Sequence, residues 1–212
     1  DDGGKTWSKL SVVYEEGEDK KITIGNPCPV EDRSTGIIWM PFTRNNDDVF
    51  IMFSKDDGRS WSKPRKITSS VKKKGWTWYA TGPGVSIQLR KGKHKGRLLI
   101  PCDHREPIKG KQVTHSHCIY SDDHGKTWKL GESVSPFTNE CQTVELADGS
   151  IMINMRNYWK RTGKRPERGG KRAVALSKDG GVSWHSLRFD DALIEPDCQA
   201  SLITQGKRLI FS

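Results

Sequence analysis

The sequence has no run of 18 apolar residues, and so it contains no candidate membrane-spanning helix. Its five cysteines are odd in number, widely spaced and without a CxxC pair, which argues against a zinc site and against a disulfide framework. No segment has a convincing helical pattern, and no low-complexity tail or long linker is present. The cysteines therefore read as small core residues, in positions Cys28, Cys102, Cys118, Cys141 and Cys198.

The charge balance is basic, with 36 Lys and Arg against 26 Asp and Glu, a formal net charge of +10. Nucleic-acid binding is one interpretation of such a charge. However, the basic residues are scattered through turns such as "RKGKHKG", with no helix to align them. We therefore expect a solvated basic surface and no nucleic-acid partner, with some electrostatic steering of a small anionic substrate.

What the sequence does contain is an octet, Ser-x-Asp-x-Gly-x-(Ser/Thr)-Trp, repeated at 54–61, 121–128 and 177–184, with a shortened copy at 1–7. A repeat at a roughly fixed spacing indicates a repeat architecture. In each copy the Asp is expected to accept hydrogen bonds from its own turn, the Gly to supply a positive φ, and the Trp to fold back as an apolar lid. These structural positions are Asp2, Asp56, Asp123 and Asp179, with Trp7, Trp61, Trp128 and Trp184.

Between the octets lie short β-rich runs bounded by turn residues, among them 36–43, 49–54, 96–103, 115–121, 142–146, 150–156, 172–177 and 199–203. Turns such as "RSTG" and "ADGS" join successive runs as hairpins. Four antiparallel strands with an octet near the end of each unit describe a blade of an all-β propeller. The 212 residues hold between three and four such units.

The octets and their flanking text, "GNPCPV", "FTRNND", "GWTWYATGPG", "IPCDH", "NECQTVELADGSIMINMRN" and "CQASLI", resemble the exo-sialidase (neuraminidase) family with Asp-box repeats. That family has six blades, so residues 1–212 are expected to form one partial propeller domain of a longer protein. An unclosed propeller exposes blade faces and sheet edges, so the isolated chain is expected to be poorly soluble.

Strand direction places a candidate site at the end of the blades opposite the octets, here called the upper rim. Strand A descends from Cys141 and strand B climbs to Arg156, so Glu140 and Arg156 both emerge there. If Asp148-Gly149 were a two-residue turn, Cys141 would pair with Arg156 and Glu140 would face the other way. A bulge, or a loop position for Glu140, is therefore required.

By resemblance, Glu140 is the carboxylate that works with a nucleophilic tyrosine, whose phenol titrates near pH ~10 and needs a base. Arg156 resembles one of three arginines that bind the substrate carboxylate. The other two arginines, the acid/base aspartate and the tyrosine of the family match no residue of this chain, so the chain alone is expected to be inactive. A solvated loop acid and a rim salt bridge are the alternatives for Glu140 and Arg156.

Strand direction also places further polar and aromatic residues near the upper rim, where they form a possible substrate pocket. Packing, loop fixing or a hairpin corner explains them equally well, and Val85 stands where the family often has histidine. His115 and His117 alternate on one strand, but without a third ligand they are ordinary strand residues. The pocket candidates are Asn26, Arg44, Asn45, Trp78, Tyr79, Asp103, His104 and Asn157, with Glu195 and Asp197 nearby.

The resemblance implies a retaining exo-α-sialidase acting on sialylated glycans, monomeric at full length and without metal or organic cofactor. Secreted, periplasmic and lysosomal locations all fit such an enzyme. Two alternatives remain: a non-catalytic Asp-box propeller that binds a partner, and a different glycoside hydrolase with an Asp/Asp pair. The spacing of "NECQ" and "NMRN" favours the sialidase.

Overall fold

The computed structural model describes residues 2–163 and 166–212 and is almost entirely β. The first sheet is a blade whose innermost strand is interrupted. Two short segments pair in turn with the same long neighbour, and two further strands complete the antiparallel sheet. Its strands are β1 (Ile24–Gly25), β2 (Val30–Asp32), β3 (Ile37–Arg44), β4 (Asp48–Ser54) and β5 (Arg65–Lys66).

The second sheet repeats this plan after a one-turn helix, α1 (Thr68–Val71). Its innermost strand is again split, into β6 (Trp78–Thr81) and β7 (Ile87–Gln88), and both pieces pair with β8 (Leu98–Ile108). A 3-10 turn at Gly92–His94 precedes that segment. The remaining strands are β8 (Leu98–Ile108), β9 (Lys111–Ser121) and β10 (Lys129–Leu130).

The third sheet is a regular four-stranded antiparallel blade, and a two-stranded hairpin follows it. Short 3-10 segments at Trp159–Thr162 and Pro166–Arg168 lie in the crossing between its middle strands. The sequence prediction of an all-β propeller holding three to four blades is confirmed. The strands are β11 (Thr138–Glu145), β12 (Ile151–Asn157), β13 (Lys171–Ser177) and β14 (His185–Ile194), then β15 (Leu202–Gln205) and β16 (Arg208–Phe211).

The blades pack face to face through the alternating side chains of their strands. In β8, Leu98 and Ile100 join a buried cluster with Trp39 of the first blade. Leu99, between them in sequence, joins a second cluster with Met155 of the third blade. The strand is therefore apolar on both faces because a sheet lies against each of them. Four of the five cysteines are buried, as expected for core residues, and Cys198 is exposed.

The octets have the predicted turn chemistry. The carboxylate of Asp123 accepts hydrogen bonds from the amide and the hydroxyl of Thr127, at 2.9 and 2.6 Å. Gly125 has a φ of +79°, and the indole of Trp128 donates to its carbonyl oxygen at 3.1 Å. The equivalent bonds from Ser60 lower the pKa of Asp56 to about 2. In these octets the Asp carboxylate accepts hydrogen bonds from residues of its own turn, which indicates a structural role.

The octets also dock each blade onto the one before it. A Cβ added at Gly125 would lie 2.2 Å from the indole of Trp39, and one at Gly181 would lie 2.6 Å from Leu99. The Trp side chains differ in burial, since Trp128 is 4% exposed and Trp7 is 88% exposed. The following strands begin one residue after the Trp, at Lys129 and His185, rather than at the Trp itself.

Candidate active site

Glu140 lies beside Arg156 at a β-bulge on the upper rim. Cys141 pairs with Met155 and Thr138 pairs with Asn157, so Asn139 and Glu140 together lie opposite Arg156. The lower turn has one residue more than the two-residue turn assumed from the sequence, because Glu145 pairs with Ile151 and Leu146 bonds to Ser150. This longer turn resolves the parity conflict, because it shifts the register by one residue and puts Glu140 opposite Arg156. A bulge, one of the two alternatives expected from the sequence, is also present.

Glu140 and Arg156 form a direct ion pair, with Nη1 of Arg156 donating to Oε2 of Glu140 at 2.6 Å. The side chain of Glu140 is 19% exposed and that of Arg156 is 18% exposed, so both are accessible but partly desolvated. Burial acts against the guanidinium charge, but the bond to Glu140 and the charges of Glu140, Tyr158 and Asp197 together outweigh it and raise the pKa of Arg156. The Nε of Arg156 is buried and has no hydrogen-bond partner among the described residues.

Tyr158 lies beside this pair, and sequence reasoning missed it. Its ring is 4.9 Å from the Arg156 guanidinium carbon and 3.9 Å from that of Arg161. Its hydroxyl donates to Oδ1 of Asn139 at 2.7 Å. Burial raises the pKa of Tyr158, which makes it a poor nucleophile. Tyr158 lies one residue past the end of β12 and two residues after Arg156, and this period-2 spacing was the signal that could have identified it.

Asp103 lies directly behind the bulge, inside the protein and not on its surface. It is fully buried, and its Oδ2 accepts a hydrogen bond from the side-chain amide of Asn139. Burial raises the pKa of Asp103 well above its usual value, and the nearby Glu140 carboxylate acts in the same direction. Asp103 therefore contacts the candidate site through Asn139.

Tyr79 and His104 do not reach an open pocket, contrary to the sequence expectation. Tyr79 lies in β6 and His104 lies in the middle of β8, and both are fully buried. The His104 ring stacks on Trp76 at 3.3 Å, and its Nδ1 lies 3.0 Å from Nδ1 of His117. They belong to an aromatic cluster between the first and second blades because β8 runs five residues beyond the predicted strand end at 103.

The remaining pocket candidates hold loops and corners in place. Asn26 accepts hydrogen bonds from Thr43 and Asn46, and Asn45 pairs with the backbone of Thr23. Arg44 forms a 2.7 Å ion pair with Glu16.

Trp78 and Asn157 have similar roles. Trp78 lies in β6, not in a crossing loop, and the Arg105 guanidinium lies 5.0 Å from its ring centre. Asn157 is fully buried, and its amide bonds the backbone of Arg168, Lys171 and Trp159.

Two acids named near the last inner strand form ion pairs with arginines of the third blade. Glu195 lies 2.5 Å from Arg172, and both side chains are 1% exposed. Asp197 lies 3.0 Å from Arg161, which in turn covers Tyr158. The first pair locks the loop before β15 to β13, and the second supports the side of the candidate site.

Within the described part of the chain, no group of three or more His, Cys, Asp or Glu side chains is arranged to hold a metal ion. None of the described helices is both long and apolar enough to cross a membrane. The site therefore consists of an acid–guanidinium pair, an aromatic ring and a buried carboxyl behind them.

Comparisons with known proteins agree with this architecture. The family model described as "BNR repeat-like domain" matches residues 1–210. A sialidase of Bacteroides fragilis is 31% identical over 96% of this chain and 39% of its own length. A sialidase of Micromonospora viridifaciens is 33% identical over 95% of this chain and 32% of its own. Human sialidase-3 is 33% identical over 84% of this chain and 46% of its own.

Solved structures show the same fold. The Hadza microbial sialidase Hz136 superposes with a TM-score of 0.80 at 28% identity, covering 99% of this chain and 45% of that one. The intramolecular trans-sialidase of Ruminococcus gnavus gives a TM-score of 0.74 at 16% identity, over 95% of this chain and 65% of that one. The chain spans less than half the length of the curated relatives named above. It belongs to the family of BNR repeat-like domains, and the relatives that it resembles are sialidases.

Proposed function

We propose that the protein carrying this chain is an exo-α-sialidase, a glycoside hydrolase that releases terminal sialic acids from glycoconjugates with retention of configuration. The observation that carries the proposal is the 2.6 Å contact between Glu140 and Arg156 on the rim opposite the octets. The sialidase relatives support the substrate class. The turns with the Asp boxes lie at the other end of the blades and take no part in the chemistry.

Arg156 is the proposed ligand of the substrate carboxylate. Sialic acid carries this group beside its anomeric carbon, and a guanidinium presents paired donors that match it. One donor of Arg156 is engaged by Glu140, whereas its Nε has no partner among the described residues. A guanidinium has five N–H donors and the Glu140 bond uses one on Nη1, so Arg156 can bind a substrate carboxylate while it still holds Glu140.

Glu140 is the proposed base that activates a tyrosine nucleophile. Its Oε2 accepts the Arg156 bond, which leaves Oε1 to accept the proton of a phenol. A neutral phenol attacks without the repulsion that a carboxylate nucleophile would meet from the anionic substrate, unlike the usual two-carboxylate scheme. The tyrosine, the acid/base aspartate and two further arginines would come from regions outside these 212 residues, so the chain alone is proposed to be inactive.

Hydrolysis of a fluorogenic sialoside by the full-length protein tests the proposal. Glu140→Gln is expected to lower kcat by about 10²–10⁴-fold, as for loss of a positioned base. Arg156→Met is expected mainly to raise KM. The matched control is Glu31→Gln with Arg33→Met, an exposed pair 3.6 Å apart at the lower end of the first blade, which should leave both constants unchanged.

The stereochemistry and the cofactor requirement are tested in the same assay. Proton NMR of the first-formed product should show the α-anomer, and excess EDTA should leave the rate unchanged. A full-length protein that binds sialosides without hydrolysing them would refute the enzyme and favour the non-catalytic propeller. Activity retained in Glu140→Gln would remove the role assigned to Glu140.

A further inference from the structure

Asn139 joins two neighbouring blades directly behind the Glu140–Arg156 pair. Its backbone carbonyl accepts a hydrogen bond from the Ser116 hydroxyl, and its side-chain amide donates to Asp103. Asp103 and Ser116 face each other across β8 and β9, so one rung of the second blade holds both ends of Asn139. Asn139 is 3% exposed, and so these bonds are made without competition from water.

The oxygen of the same side-chain amide reaches the arginine side of the site. Oδ1 of Asn139 accepts the Tyr158 hydroxyl at 2.7 Å. The Tyr158 ring contacts the guanidinium groups of both Arg156 and Arg161, and Arg161 forms an ion pair with Asp197 at 3.0 Å. One amide therefore ties together the bulge that carries Glu140 and the ring that supports Arg156.

We propose that Asn139, anchored by Asp103, is a positioning residue that sets the orientation of Glu140 toward Arg156, an inference that rests on the proposed function. In the register that the lower turn sets, Cys141 pairs with Met155, so regular pairing would continue with Glu140 opposite Arg156 and Asn139 opposite Asn157. The bulge leaves Asn139 and Glu140 facing a single residue, Arg156, without the regular ladder bonds that would otherwise fix them. The bonds from Asp103 and Ser116 replace that lost constraint.

Three variants of the full-length protein test the inference. Asn139→Leu removes both side-chain bonds at nearly constant volume, and Asp103→Leu removes the anchor. Asp103→Asn keeps an oxygen that accepts from Asn139. A misplacement of about 1 Å can cost on the order of 10²-fold in rate, so both leucine variants should lower kcat to that extent, and Asp103→Asn should restore most of it.

Asp32→Leu is the matched control for destabilisation. Asp32 is also fully buried, and it bonds Ser34, Thr35 and Gln88 at the lower end of the first blade. We expect this variant to lower the melting temperature and to leave kcat and its pH profile unchanged below that temperature. The leucine variants at Asp103 and Asn139 should also shift the acid limb of the kcat/KM profile, which a purely structural role would not do.

Crystal structures of the wild type and Asn139→Leu separate the possible failures. The Glu140–Arg156 contact should lengthen beyond hydrogen-bonding distance in the variant. If Glu140→Gln is inactive while Asn139→Leu keeps the wild-type kcat, the positioning role is wrong and the proposed function stands. If the wild type hydrolyses no sialoside, the proposed function fails, and an unchanged contact in Asn139→Leu would overturn the positioning role by itself.

Discussion

Acidification should destabilise this fold through the buried histidines between the first and second blades. His104 and His117 are fully buried, linked through their Nδ1 atoms at 3.0 Å, and Nε2 of His117 lies 3.0 Å from the Tyr79 hydroxyl. Burial lowers the pKa of His117 to about 3 and also lowers that of His104. The other charged groups facing the cluster are Glu106, 3.1 Å from His115, and the ammonium of Lys73.

The sign follows from which state binds the proton. An unfolded histidine titrates near pH ~6.5. Below that value the unfolded chain therefore binds a proton at His117, whereas the folded protein does not bind it until the pH approaches 3. Stability therefore falls as the pH drops from about 6.5 toward 3. For His117 alone the loss between pH 7.5 and 5 is ~2 kcal/mol, from about 1.36 kcal/mol per pH unit. His104 adds to it in the same direction.

Urea unfolding of the full-length protein at pH 7.5 and pH 5 measures this loss. His117→Gln removes the titrating ring while it keeps a neutral polar side chain, so the stability difference between the two pH values should shrink by ~2 kcal/mol. His185→Gln, at an exposed position, is the control and should retain the wild-type difference. The same pH dependence in His117→Gln as in the wild type would refute the reasoning.

Three other changes test the packing of the blades. Gly125→Ala should destabilise the protein by ~1–3 kcal/mol more than Gly58→Ala in urea unfolding. Both glycines have φ near +80°, but the added Cβ would lie 2.2 Å from Trp39 at Gly125 and 3.7 Å from the nearest atom at Gly58. Arg172→Ala should cost ~3–5 kcal/mol because Glu195 stays buried and unpaired, whereas the double change Arg172→Met with Glu195→Leu should recover most of that loss. Residues 1–212 expressed alone should aggregate in size-exclusion chromatography, since large hydrophobic side chains are exposed near both ends; a sharp monomer peak would contradict this.

The propeller could be predicted because its signal is local. The octet encodes a closed turn through Ser, Asp, Gly and Thr within eight residues, so its meaning does not depend on distant contacts. The split inner strands could not be predicted with the same ease. Pro27 and Pro29 lack an amide hydrogen and interrupt the ladder between β1 and β2, and the segment around Pro83 does so between β6 and β7.

The site was predictable in part, and the reason lies in how strands end. Strand direction placed Glu140 and Arg156 on one rim, and the structure brings them to 2.6 Å. The same reasoning ended β8 at Asp103, where polar residues begin, but the strand continues to Ile108. Asp103 and His104 are buried there rather than exposed to water, and local sequence does not show which partners satisfy them.

The bulge shows why a site of this kind depends on more than its own blade. The register of β11 and β12 puts Glu140 opposite Arg156, and the bulge adds Asn139 as an extra residue at the same partner position. What holds Asn139 comes from β8 and β9 of the preceding blade, through Asp103 and Ser116. Leu99, four residues before Asp103 in β8, packs in one cluster with Cys141 and Met155 of the third blade. The docking of the second blade and the geometry of the candidate site consequently depend on the same two strands, β8 and β9.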